Sequence, residues 1–507
     1  MAESLQKGIE EATILDLQAA MQGGRTTSRK LVRAYLRRIE GIDRAGPALN
    51  SIIGVNPDAL EIAAQLDRER AEKGPRGLLH GIPVVLKDSI ATTDRMETTA
   101  GSLALLGSRP RREAFPVRKL REAGAVILGK ANLSEWANFR SNNSTSGWSA
   151  RGGQVRNPYA LDRSPCGSSS GSAVAVAANL TSVAVGTETD GSILCPSSAN
   201  SVVGIKPTLG LVSRSGVIPV AHSQDVVGPI CRTVTDAAIL LGGMVGVDRD
   251  DPSTRSSAGR FHRDYTKFLD KDGLKGARIG VAREGYFGYS DSTDAIAEAA
   301  IGRMRKLGAK VVDPANIPTW KDMGSGDEMT VLLYEFKADL NTYLSGLEKS
   351  RVRSLKDVIT FNEKHREKEL RYFGQDLFVR AQKTAGLKDK KYIKALRNNR
   401  LLSRQKGLDF VLGKHHLDAL VAPTGAPPWV VDLVDGDHGL GGSSQPTALA
   451  GYPAITVPAG YAFGLPVGIT FMGTAYSEPT LIRLAYAFEQ ATRHRVPPRY
   501  RPTTPLT

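Results

Sequence analysis

The sequence predicts an α/β protein with largely buried strands. Short, almost purely apolar runs such as Ile82–Lys87, Val183–Val185 and Leu420–Pro423 read as strands covered on both faces. Segments with helical periodicity alternate with them, as expected where helices cover a sheet. Of the 507 residues, 41% are hydrophobic and 23% charged, the balance of a large-cored globular chain rather than a disordered one. Length alone fits two or three domains, or one large α/β unit.

Taken in order, Ala12–Gln22 reads as a helix stopped by Gly23-Gly24, and Ser28 as the cap of a second that runs to Ile39. Leu31, Tyr35, Leu36 and Ile39 share one face of the second helix. Asp58–Lys73 is a third helix, closed by Gly74-Pro75. Ile82–Lys87 is a strand with a single lysine at its end. Pro116–Ala123 is a helix, Val126–Leu128 a strand, and Leu133–Trp136 a turn or helix start. Residues 141–172, rich in Ser, Asn and Gly, form a loop. Ala173–Asn179 is a helix of small residues, Val183–Val185 a strand, and Gly186–Ser192 a sharp turn. Val202–Lys206 and Gly210–Val217 carry further strand and turn signals. From Trp320 to Leu412 the chain is charged and helical, clearest over Leu332–Leu347 and Leu387–Leu412. After the strand Leu420–Pro423 come the loop Thr424–Gln445, strands Ile455–Val457 and Val467–Phe471, and a closing helix Glu478–Thr492.

Composition narrows the function classes. Lys and Arg number 67 against 52 Asp and Glu, a formal charge of +15. The basic residues are scattered, and no basic tract is interleaved with aromatics, so a solvated basic surface is expected rather than a nucleic-acid site. Cys166, Cys195 and Cys231 are too few and too far apart in sequence for a disulfide framework or zinc site, and are expected as small buried residues near the chemistry. Charges interrupt Met1–Glu40, which leaves no signal core, and no apolar run approaches the roughly 20 residues of a membrane span. A soluble protein is expected, cytoplasmic or else exported after loss of a signal peptide.

Three polar features sit awkwardly in this apolar context. Lys87 ends a strand of Val and Leu, where burial favours the neutral amine, a competent general base. Read alone it fits equally a lysine that snorkels to solvent or pairs with Asp88. Gly167-Ser-Ser-Ser-Gly171 can bring backbone amides close to a ligand, or can be a linker or helix cap. Thr187-Glu-Thr-Asp-Gly-Ser192 can aim several amides into one cavity, or be an ordinary turn.

Together, in this order, these features resemble the amidase signature family. The likeness spans nearly the whole chain, from Gly81-Ile-Pro83 to Gly464-Leu-Pro466. It includes Gly129-Lys-Ala-Asn-Leu133, Arg156-Asn-Pro158, Ser164-Pro-Cys-Gly-Ser-Ser-Ser-Gly-Ser172, Gly204-Ile-Lys-Pro-Thr208, Pro423-Thr424 and Gly451-Tyr-Pro453. Within the family, Ser134–Ser141 and Thr187–Ile193 are most similar to bacterial peptide amidases.

The resemblance implies one large domain, a central mixed and largely parallel sheet flanked by helices on both faces. Its parts would be N-terminal helices (1–75), a core (76–320), a helical insertion (321–412) and the rest of the core (413–507). It implies Ser192 as nucleophile, Ser168 beside a cis peptide as proton relay, Lys87 as base, and the amides of Thr189, Asp190 and Gly191 as an oxyanion hole. The implied substrate is a peptide or other small-molecule amide, with no cofactor or metal and no nucleic-acid or membrane partner, in a monomer or homodimer. Two departures stand out: Asp190 and Leu194 replace a common Gly and Arg, and Ser170 stands where Gly is frequent.

Other readings compete. Gly167–Gly171 also fits G-x-S-x-G, with Ser169 as nucleophile and His222, His415, His416 or His438 as partner, although a proline-rich loop rather than a strand precedes it. The same family supplies a component of the amidotransferases for tRNA-dependent amidation, and a non-catalytic binder is a third possibility. Aryl acylamides, oligoamides and carbamates are neighbouring substrate classes. Trp136–Ser141 and the Thr424–Gln445 loop are the candidate pocket walls, with Phe139 and Trp429 as apolar contacts.

Overall fold

The computed structural model describes residues 8–504; the outermost residues of the 1–75 and 413–507 segments lie outside it. Eleven strands form one mixed sheet. In chain order they are β1 (Ile52–Val55), β2 (Pro83–Lys87), β3 (Val126–Ala131), β6 (Val183–Glu188), β7 (Val203–Lys206), β8 (Val226–Cys231), β9 (Arg278–Val281), β10 (Lys310–Val312), β11 (Ala419–Pro423), β12 (Ala454–Ala462) and β13 (Leu465–Met472). Two short strands, β4 (Trp148–Ser149) and β5 (Gly153–Gln154), pair in a separate ribbon. The sheet order is β1-β3-β2-β6-β8-β7-β12-β13-β11-β9-β10.

Strand β2 pairs parallel with β3 and β6, and β9 pairs parallel with β10 and β11; the other neighbours are antiparallel. The parallel share is thus smaller than strand–helix alternation suggests. The reason lies partly in Phe463-Gly464, both at positive φ, which close β12 and β13 into a hairpin. It lies partly in β8, which inserts antiparallel between β6 and β7. Pro229 inside β8 disguises it as a non-strand in sequence.

Local chemistry explains the helices that flank the sheet. Thr13 and Asp16 form a reciprocal capping box on the helix Ile14–Gln22. The next helix, Ser28–Arg38, is capped by Thr27 rather than Ser28, because the Thr27 side chain accepts the Lys30 amide. Residues 218–319, where the sequence showed no clear element, hold β8, β9, β10 and the helices Val234–Gly242 and Asp291–Lys306.

Between Trp320 and Lys414 the chain is helical, with Asp327–Ser345 the longest helix. Phe336, Leu340, Leu344, Leu377 and Phe378 build a hydrophobic cluster of their own, into which Trp136 and Phe139 from the core segment insert. A buried Arg140 fastens the two regions. It pairs with Glu135 at 2.6 Å, bonds the Glu369 carbonyl, and lies 4.2 Å from the centre of the Phe373 ring. Among the described residues, no helix is long and apolar enough to cross a membrane.

Candidate active site

Strand β2 carries Lys87 to its end with every residue buried, and Lys87 itself is 0% exposed. Its Nζ donates to Ser168 Oγ at 2.7 Å, to Thr187 Oγ1 at 2.9 Å and to the Thr187 carbonyl at 3.1 Å. The neighbouring Asp88 faces elsewhere, bonded to Thr99 and Arg151. Neither solvent nor Asp88 therefore engages the amine. Burial pulls its pKa from 10.5 to about 7, against the opposing pull of the Asp225 and Glu188 carboxylates. Near neutrality the group is thus substantially an uncharged amine held on a hydroxyl, able to accept that hydroxyl's proton.

The Gly-Ser tract meets β2 because the helix Ser170–Ala177 starts within it. The Gly167–Ser168 peptide is cis, and the Ser168 carbonyl accepts the Ser134 amide at 3.1 Å. A Cβ on residue 167 would lie 2.1 Å from Ser134 Oγ, so the tract approaches this closely only with glycine there. The Ser169 amide donates to the Ser192 carbonyl at 3.1 Å, binding the two serine-bearing loops to each other.

Ser192 is 8% exposed, in a turn made possible by Gly191 at φ 78°. The buried Glu188 carboxylate staples this turn to the following helix, accepting the amides of Ile193 at 2.7 Å and Leu194 at 2.9 Å. Those two amides, and that of Cys195, which donates to the Gly191 carbonyl at 2.8 Å, are consumed by the fold. Thr189 Oγ1 donates to Asp225 at 2.6 Å, and Asp190 accepts from Ser444 Oγ.

Thr187, Glu188, Asp225 and Ser444 enter the site without having been assigned a role from sequence. The cysteines are a further correction: Cys166 and Cys195 form a disulfide, and only Cys231 is a free buried thiol. Spacing in sequence was a poor guide because the fold brings their Cα atoms to 5.9 Å, within bridging range. The bridge joins the residue before Gly167 to the helix after Ser192.

Ser169 is differently placed. Its hydroxyl donates to the Thr187 carbonyl at 3.0 Å and accepts the Thr187 amide at 3.2 Å. His222 pairs with Asp339 and His438 bonds the Gly436 carbonyl, so neither serves Ser169. Phe139 packs on Phe336 with ring centres 5.1 Å apart, and Trp429 Nε1 donates to Asp437.

A large mixed sheet with a buried lysine on a Gly-Ser tract defines a class of protein, and the chain belongs to the amidase family, whose model, described as Amidase, matches residues 30–482. The chain is similar to a native peptide amidase from Stenotrophomonas maltophilia, known from its X-ray structure. The two are 53% identical with a TM-score of 0.92, over 97% of this chain and 99% of that one. A probable amidase from Arabidopsis thaliana is 47% identical over 502 residues, covering 97% of this chain and 92% of the relative. A glutamyl-tRNA(Gln) amidotransferase subunit from Halorhodospira halophila is 35% identical over 500 residues, covering 96% and 98% of the two chains.

Proposed function

We propose that the protein is a serine-dependent amide hydrolase that releases ammonia from C-terminal amides of peptides or from amino-acid amides. The observation that carries this reading is the Lys87 amine, buried, with its pKa lowered to about 7 and bonded to Ser168 Oγ at 2.7 Å. A base poised near the working pH is matched to proton abstraction.

In this mechanism neutral Lys87 draws the Ser168 proton as Ser168 takes that of Ser192, and Ser192 Oγ attacks the amide carbon. The amides of Thr189, Asp190 and Gly191 receive the oxyanion, each such donor contributing roughly 3 kcal/mol in comparable sites. The relay then returns a proton to the departing ammonia, and water hydrolyses the acyl-enzyme by the same path. The likeness to a peptide amidase supports a C-terminal carboxamide as substrate.

The test is mass spectrometry after treatment with a fluorophosphonate. The label is expected on Ser192, and lost in Lys87→Ala; a label on Ser169 instead would overturn the assignment. The likeness to a glutamyl-tRNA(Gln) amidotransferase component favours a second reading, a part of a tRNA-dependent complex. Ammonia release from a peptide amide by the purified chain, without ATP or partner proteins, separates the two. Release from aryl amides, oligoamides or carbamates alone would move the substrate class.

A further inference from the structure

Residues 220–225 form a short strap bonded on one side to the helical insertion and on the other to the turn that carries Ser192. Two carboxylates of the helix Asp327–Ser345 accept its backbone: Asp339 from the His222 amide at 3.0 Å and Glu335 from the Ser223 amide at 2.9 Å. Asp225 closes the strap on itself, one carboxylate oxygen accepting the amides of Val220 and Ala221 at 2.8 and 2.9 Å. The other Asp225 oxygen accepts the Thr189 hydroxyl at 2.6 Å.

Gln224, 2% exposed, makes a second link to the turn. Its Nε2 donates to Glu328 Oε1 at 2.9 Å and to the Thr189 carbonyl at 3.3 Å. Both neighbours can only accept, and an amide nitrogen has two hydrogens to give, so the partners fix which way the side-chain amide is turned. The bond to the carboxylate is charge-assisted and anchors the group. Glu328 is held in turn on its other oxygen by Gln445 Nε2 at 2.8 Å, at the start of the helix Gln445–Ala450.

The Thr189 carbonyl and the Asp190 N–H belong to one peptide plane, which is trans. In such a plane the two groups point in opposite directions, so a donor fixed on the carbonyl also fixes the aim of the N–H. None of the hydrogen bonds among the described residues uses the Asp190 amide. We infer that Gln224, anchored by Glu328, is a positioning residue that aims the Asp190 amide at the developing oxyanion. The inference rests on the nucleophile and oxyanion hole proposed above. Removing one such donor outright costs roughly a hundredfold to a thousandfold in kcat. Loosening its plane should cost about tenfold to a hundredfold, because the N–H is still present but no longer pre-aimed.

The test is Gln224→Met, which keeps the side-chain length and removes both donors. It is assayed by hydrolysis of a peptide amide and by inhibition with a peptide aldehyde and the matching alcohol. Ser192 adding to the aldehyde places an oxygen where the oxyanion forms, whereas the alcohol binds without that adduct. The expected result is kcat lower by about tenfold to a hundredfold with KM within about twofold, since only transition-state binding is weakened. Aldehyde affinity should fall by a similar factor and alcohol affinity should hold. Glu328→Leu, which frees Gln224, should show the same pattern, and Glu328→Gln, which still offers Gln224 an acceptor, should regain most of the loss; this pair decides the matter if Gln224→Met does not fold. An unchanged kcat, or equal weakening of aldehyde and alcohol, would overturn the role of Gln224, while fluorophosphonate label on Ser192 would uphold the nucleophile. Absence of that label in the unmodified protein would overturn both.

Discussion

Acidification should switch this protein off through Lys87. With an ordinary value of 10.5, roughly one amine in 3,000 would be neutral at pH 7, whereas a value of about 7 makes about half of them neutral. The difference corresponds to about 5 kcal/mol of preference for the uncharged form, supplied by burial at the end of β2. Because only the neutral amine can accept a proton, activity is lost as pH falls through about 7. The expected kcat/KM for a peptide amide drops about tenfold per pH unit below that point, and about a hundredfold by pH 5. Asp225→Asn sharpens the test. The Asp225 carboxylate opposes the downward pull on Lys87, so removing its charge should move the acidic limb to lower pH. The assay is ammonia release at low substrate, each profile scaled to its own plateau. A profile level from pH 5 to pH 7.5, or a limb that moves upward in Asp225→Asn, would refute the reasoning.

Two further outcomes concern the scaffold. The Cys166–Cys195 bridge closes a loop of 29 residues' separation that contains both Ser168 and Ser192. Chain entropy puts its removal in Cys195→Ser at about 3–4 kcal/mol, visible as a lower Tm, and thiol reductant should lower the Tm of the unmodified protein similarly; unchanged melting would count against a stabilising bridge. Arg140→Met leaves Glu135 and Glu369 buried without their cation, an expected loss of about 3–5 kcal/mol in denaturant unfolding; a fully stable variant would show that Arg140 does not fasten the insertion.

How far the sequence could be read depended on range. Lys87 was conspicuous because a charge at the end of an apolar strand conflicts with its neighbours, and β2 and its burial followed from the run itself. The helix Asp327–Ser345 and the hairpin strands β12 and β13 were likewise visible as local patterns. Strand β8 was not, since Pro229 argues against a sheet interior unless one knows which edge of the residue faces a neighbour. Strands β9 and β10 each open on a charged residue, Arg278 and Lys310, and hold only two β-branched residues, so neither stands out as an apolar run.

What the chain determined by itself were most of the elements outside 218–319, the buried character of β2 and the residue types able to carry the chemistry, because propensity and periodicity act over a few neighbouring positions. Only the tertiary structure decided that Thr187 shares Lys87 with Ser168, that Cys166 reaches Cys195, and that Ser444 bonds Asp190. These partners lie tens to more than a hundred residues apart. Bonds across such distances depend on strand order and helix docking, and those are settled by the packing of the whole core, to which no short stretch of sequence has access.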